Sequence, residues 1–122
     1  MPKASKATAA EVIEVEGYEG RFEAFPDDFT VGFERYTADA DLTPMFAGLP
    51  DDRCQCAHWG YVINGKVTFH TQNGDETFET GDAYYVGPGH TPVLYAGTEI
   101  VEFSPTTELR NTFDVVSKNM QG

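Results

Sequence analysis

Cys54, Cys56 and His58 stand at alternate positions in the segment CQCAHWG. On an extended strand alternate side chains share one face, so two thiols and an imidazole would point the same way. Thiolate sulfur and neutral imidazole are the donors zinc prefers, and they also suit iron and copper. A flat strand would hold the first and third Cα atoms about 13 Å apart, so one ion takes all three only where the chain bends. Trp59 and Gly60, a bulky residue beside a permissive one, offer a place for the bend. A disulfide between Cys54 and Cys56 would close a tiny strained ring. Paired thiols outside a disulfide framework point to metal or redox chemistry in a reducing compartment. His90, in the loop after Gly87-Pro88-Gly89, is the fourth candidate ligand. There are plainer readings. Cys54 and Cys56 also suit small core positions, and His58 suits a core histidine donating to a carbonyl. Asp52 reads as a solvated turn residue, and His70, between Phe69 and Thr71, as a strand-face residue without a partner.

The elements that would position these residues are short. Residues 1–10 are small, polar and unpatterned and read as a flexible tail, with one domain over 11–122. Alternating stretches follow at Val12–Val15, Gly20–Phe25 and Phe29–Tyr36, and an irregular or single-turn helical piece at Leu42–Leu49. Cys54–His58 leads into Tyr61-Val62-Ile63. Asn64-Gly65 is a strong two-residue hairpin signal before Lys66–Thr71. Further turns at Asn73-Gly74-Asp75, Gly81-Asp82 and Ala96-Gly97 separate Thr77–Glu79, Ala83–Val86, Pro92–Tyr95 and Glu99–Phe103. Ser104-Pro105 then fits an N-cap followed by proline. Leu109, Phe113, Val116 and Met120 recur at helical spacing, predicting one amphipathic helix over 105–120. Turns every 8–12 residues argue for an all-β sandwich or small barrel.

Composition narrows the function. The chain has 122 residues, enough for one domain, and a 40% apolar, 13% aromatic composition that can build a core. Eight Lys plus Arg against twenty Asp plus Glu give a net charge of −12. From Val67 to Leu109 there is no Lys or Arg, while Asp75, Glu76, Glu79, Asp82, Glu99, Glu102 and Glu108 fall there. A nucleic acid would be repelled, and so would an anionic membrane surface. No apolar run approaches a membrane span and no signal-peptide core opens the chain, so a cytoplasmic protein is expected. There is no G-x-S-x-G and no phosphate-binding Gly-Lys-Ser/Thr loop.

Residues 54–65, CQCAHWGYVING, resemble the first motif of the cupin family, H-x-H-x(3,4)-E-x(6)-G. Gly65 matches the closing glycine. His58 falls on the family glutamate, Cys54 on the second histidine and Asp52 on the first. Residues 81–89, GDAYYVGPG, resemble the second motif, G-(D)-x(4)-P-x-G-x(2)-H. Gly81 and Gly89 match, Gly87 replaces the proline, and Pro92 takes the histidine position with His90 two residues earlier. The resemblance covers roughly residues 50–104. It implies an all-β jelly-roll barrel (the double-stranded β-helix) of six to eight strands, followed here by a short C-terminal helix. It further implies one divalent metal inside the barrel, zinc first with iron or copper as alternatives, and usually a homodimer.

Two functions fit. Three protein ligands with one open position make a metal-dependent enzyme acting on a small organic molecule, by Lewis-acid or dioxygenase-type chemistry. Isomerases, cyclases and lyases fall within that range. If Cys54, Cys56, His58 and His90 all bind, the site is a closed Cys2His2 tetrahedron with a structural, sensing or ligand-binding role. A metal-free barrel that binds a small molecule is the third case. Coordination number separates the first two.

Overall fold

A computed structural model describes residues Met1–Gln121; Gly122, the end of the expected domain, lies outside the described residues. Ten strands precede one helix. They are β1 (Glu11–Val15), β2 (Tyr18–Phe25), β3 (Phe29–Tyr36), β4 (Ala40–Asp41), β5 (His58–Asn64), β6 (Lys66–Thr71), β7 (Gly74–Glu79), β8 (Ala83–Val86), β9 (His90–Leu94) and β10 (Glu99–Pro105). The helix, α1, spans Thr106–Gln121, and two 3-10 turns, Thr43–Phe46 and Pro50–Asp52, lie between β4 and β5. All pairings are antiparallel. One sheet runs β1-β2-β3-β10-β5-β8 and the other β4-β9-β6-β7. This exceeds the expected six to eight strands because β1 extends the first sheet and the two-residue β4 caps the second.

The turns divide into two kinds, which changes the reading of Asn64-Gly65. It is not a two-residue hairpin, because β5 and β6 belong to opposite sheets. It is a corner where the chain crosses from one sheet to the other. Gly65 has φ +90°, and a Cβ there would lie 2.7 Å from the Thr98 Cα. Only glycine fits both conditions. The corner is braced by Asn64 Nδ2 donating to Gly97 O at 2.9 Å and by Thr98 Oγ1 donating to Lys66 O at 3.0 Å. Gly81-Asp82 and Ala96-Gly97 also cross between sheets, whereas the turn at Asn73-Gly74 joins the paired strands β6 and β7.

Alternation along each strand places the core between the sheets. Val62, Val67, Phe69, Leu94 and Ile100 are each at most 4% exposed, and Tyr36, Tyr84 and Val86 pack with them. A second cluster, Phe46, Cys54, Cys56 and Leu109, sits under α1 with Phe113 and Val116 against it. The expected helix is present, but its start differs from the Ser104-Pro105 cap. Both residues complete β10, so Ser104 Oγ faces inward. The cap comes from the β2–β3 turn: Asp28 Oδ1 accepts from Thr107 N–H at 3.2 Å and Thr107 Oγ1–H at 2.9 Å, and Asp28 O accepts from Thr106 N–H. At its far end Asn119 Nδ2 donates to Met45 O and Ala47 O, pinning the helix to the first 3-10 turn. Residues 5–9 form a turn against the first sheet, where Lys6 pairs with Glu99 at 3.2 Å. No helix among the described residues is long and apolar enough to cross a membrane.

Gly60 lies opposite Tyr84 on the inner face, and a Cβ there would run into the Tyr84 ring. That ring stacks on Phe78 at 5.1 Å and is held by its hydroxyl bond to Glu102, so it has little room to yield. Gly60→Ala is expected to destabilise the fold by about 1–3 kcal/mol, the usual cost of overpacking. Urea denaturation followed by circular dichroism checks this; an unchanged midpoint would show that the ring moves freely.

Candidate metal centre and cavity

Three side chains converge at one end of the barrel because the backbone ties their segments together. Cys54 forms an isolated antiparallel bridge with His90: Cys54 N–H donates to His90 O and Gly89 N–H to Cys54 O, both at 2.8 Å. His58 opens β5 beside them, and its ring lies 5.2 Å from the His90 ring, edge to face. One donor atom each from Cys54, His58 and His90 lies within 4.8 Å of the others, and all three residues are buried. Among the described residues this is the one such group of three or more His, Cys, Asp or Glu. His90 keeps the face that the motif histidine would take at Pro92, because two residues are one strand period.

The donors suit a tetrahedral ion. Bonds of about 2.3 Å to sulfur and about 2.0 Å to nitrogen set an S···N separation of about 3.6 Å. Cys54 Sγ lies 3.8 Å from His58 Nε2. For His90 the second ring nitrogen fixes the tautomer. His90 Nδ1 is 2.6 Å from Gly87 O; a carbonyl only accepts, so Nδ1 carries the proton and Nε2 keeps its lone pair. His58 Nδ1 is 2.7 Å from Ser104 Oγ and 3.7 Å from Glu102 Oε1, and a proton there leaves Nε2 free toward Cys54. Burial lowers the pKa of both histidines to about 4, with the neighbouring His58 adding to the effect on His90 and the Gly87 bond opposing it. Both rings are therefore neutral at pH 7, as ligands must be. Burial pushes the Cys54 thiol up to about 11.

Cys56 is not brought into this group, and the expected set of four becomes three. The chain is irregular over residues 55–57, so the alternation that would align all three side chains does not hold. The departure from strand falls there, not at Trp59-Gly60, which lie within β5. The Cys56 thiol turns toward Ala57 O at 3.5 Å and Pro105 O at 4.0 Å, fully buried near Leu109, and burial raises it to about 12. Asp52 is an exposed 3-10 residue that accepts the Gly48 N–H at 2.9 Å. His70 has a partner after all, Asp75 at 2.7 Å.

The group opens on a cavity of about 740 Å³ between the sheets, closed on one side by Leu109, Thr112, Phe113 and Val116 of α1. Its walls include Phe22, Tyr18, Tyr36 and Phe69, and two carboxyls that sequence reasoning passed over, Glu34 and Glu102. Tyr18 donates to Glu34 Oε2 at 2.6 Å, and Tyr84 donates to Glu102 Oε2. Burial raises both carboxyls above the ordinary range, and the nearby Glu102 charge raises Glu34 further. The same burial and the two carboxyls raise Tyr18, Tyr36 and Tyr84. A signal was present: Glu34 falls in step with Thr30 and Tyr36, and Glu102 with Ile100 and Ser104, at inward positions.

Comparison with known proteins settles the fold. Neither a family model nor a curated sequence matches, whereas many solved structures do. An RmlC-like cupin from Shewanella frigidimarina superposes with a TM-score of 0.59 at 14% identity, over 84% of this chain and 88% of that one. A Rhizobium leguminosarum protein of unknown function gives 0.62 at 17% identity, over 85% and 94%. The polyketide cyclase RemF from Streptomyces resistomycificus gives 0.60 at 12% identity, over 87% and 80%. The chain has the cupin fold, an antiparallel β-barrel, with a short C-terminal helix.

Binding a metal through Cys54 requires the thiol to lose a proton held up to about 11, while His58 and His90 are already neutral above about 4. Apparent zinc affinity should therefore rise about tenfold per pH unit from about pH 6 to about pH 9. Competition titration against a chromophoric chelator, corrected for the chelator's own protonation, measures the slope. Cys54→Ser should flatten it and Cys56→Ser should leave it; a flat profile in the unaltered chain would show that no thiol is a ligand.

Proposed function

We propose that this cupin is a metal-dependent enzyme that moves protons on a small uncharged organic molecule held in the barrel cavity. The observation that carries the reading is a group of three, not four, metal-suited side chains lining a cavity that also holds two buried carboxyls, Glu102 beside His58 and Glu34. Three ligands leave a position for substrate or water, whereas a closed Cys2His2 site needs Cys56, whose thiol points elsewhere. Cys54, His58 and His90 hold the ion. Zinc suits the donor set best, and when bound it polarises a carbonyl or enol oxygen as a Lewis acid.

The remaining steps belong to the chain itself. Burial keeps Glu34 and Glu102 protonated to higher pH than ordinary carboxyls, which suits one to donate while the other accepts. Tyr18 and Tyr84 orient them through one oxygen each. The aromatic wall and the apolar side of α1 give these groups low-dielectric surroundings, which strengthens their interactions. Arg110 is the one Lys or Arg lining the cavity, so an anionic substrate finds little compensation there and a neutral one fits. Isomerisation, cyclisation and elimination all need this pairing of acid, base and polarised oxygen. RemF, of the same fold, is a cyclase.

Metal analysis by ICP-MS on protein purified without an affinity metal tests the first half of the reading. About one equivalent per chain is expected, falling to background in His90→Ala; no metal even after reconstitution would overturn it. Iron or copper in place of zinc would move the chemistry to oxygen. For the second half, the zinc-loaded protein is incubated with a panel of uncharged enolisable ketones in D2O. NMR should show deuterium exchange that falls by about 10²–10⁴-fold in Glu34→Gln with metal content unchanged. Exchange that survives this substitution would remove Glu34 from the proton path.

A further inference from the structure

The cavity wall carries three oxygens that the protein itself leaves without a hydrogen bond. Tyr36 is 5% exposed and lines the cavity. Its ring packs against Tyr18 at 5.0 Å, but its hydroxyl meets no donor or acceptor among the described residues. The hydroxyls of Tyr18 and Tyr84, by contrast, donate to Glu34 and Glu102. Both carboxyls are engaged through Oε2. Glu34 Oε1 accepts nothing, and Glu102 Oε1 stands 3.7 Å from His58 Nδ1, beyond hydrogen-bond reach. Every fully enclosed side-chain oxygen among the described residues has a partner, so these three open onto the cavity. The register gathers them on one wall. Glu34 and Tyr36, two residues apart on β3, share its inward face. Glu34 pairs with Ile100 of β10, which sets Glu102 diagonally across the ladder on the same face. The Phe22 ring lies over Gly32, opposite Glu102, and gives the group an apolar flank.

We propose that this wall is a hydroxyl-binding subsite with Tyr36 as its specificity-determining residue, so that the substrate is a hydroxy ketone and not a bare ketone. The ketone half rests on the metal-dependent reading above; the hydroxyl half rests on the cavity alone. Burial and the two carboxyls keep the Tyr36 hydroxyl protonated well above its ordinary range, so it is a donor. A ligand hydroxyl accepts that bond with a lone pair and donates its own proton to a carboxyl oxygen. It satisfies both kinds of partner, whichever carboxyl carries a proton. A carbonyl only accepts and would leave the carboxyl oxygens unmatched, while an ammonium only donates and would leave the Tyr36 proton unmatched. A carboxylate or phosphate would face two carboxyls on strand faces whose inward positions carry no Lys or Arg. Glu102 stands beside His58, so one small molecule can reach both this wall and the candidate metal centre. A site built around a hydroxyl discriminates strongly, because a ligand lacking the group leaves several polar atoms unpaired at once.

α-Tetralone and its ring-hydroxylated isomers test this, because they differ by a single hydroxyl set at varied distances from the carbonyl. All are uncharged at about pH 6.5, well below the phenol range. Isothermal titration is run on the full chain, both loaded with zinc and stripped of it by a chelator. At least one hydroxy isomer should bind about tenfold tighter than α-tetralone, since the bare ketone leaves the subsite unpaired. In Tyr36→Phe this preference should fall to about threefold or less, with α-tetralone binding as before. The Tyr36 hydroxyl bonds nothing in the free protein, so the variant should keep the melting temperature of the unaltered chain. The stripped protein separates the two readings: a chain that takes up no zinc but keeps the preference would sink the metal reading and leave the subsite standing. Equal affinities for all the probes in the unaltered chain overturn the proposal. So does a preference that survives Tyr36→Phe in full.

Discussion

A barrel interior that carries ionisable groups stays folded only if each of them finds a partner inside, because an unpaired buried polar atom costs on the order of 1–3 kcal/mol. Here the partners are arranged as pairs between different elements. Ser104 of β10 meets His58 of β5, Tyr84 of β8 meets Glu102 of β10, Tyr18 of β2 meets Glu34 of β3, and His90 of β9 meets the Gly87 carbonyl. No buried side-chain nitrogen or oxygen among the described residues lacks a partner. The same bonds hold the tautomer of His90 and the orientation of the two carboxyls.

These pairs explain how a chain of net charge −12 keeps an interior that is nearly uncharged. Desolvation holds His58 and His90 neutral, the Cys54 thiol protonated and the carboxyl pair with a proton to share. The acidic surface and the neutral cavity are thus separate regimes. A cation entering beside Cys54 would find two imidazole lone pairs ready and one thiol able to ionise.

The helix connects the two regimes. Its first turn is capped by Asp28 from the β2–β3 turn, its last is tied to the 3-10 turn at Met45 and Ala47, and its apolar side closes the cavity. Leu109 packs with Cys54 and Cys56, so the second core cluster lies directly behind the candidate centre. Cys56 accordingly has a packing role where its spacing suggested ligation.

The local pattern of the chain determined a good deal. Alternation and turn residues located nearly every strand, Gly81 and Gly89 marked the second motif, and the spacing of Leu109, Phe113 and Val116 announced the helix. It also placed Cys54, His58 and His90 among the candidates. Local pattern could not tell a hairpin from a corner, since Asn64-Gly65 suits both and only sheet partnership distinguishes them. Nor could it separate Cys54 from Cys56, because alternation assumes a regular strand and the backbone over 55–57 is irregular. Glu34 and Glu102 resemble solvated strand residues until both sheets close over them. Their pKa values, the helix cap at Asp28 and the meeting of Cys54 with His90 all arise from contacts between distant segments. Such contacts exist only after the chain has folded, and so the tertiary structure alone decided them.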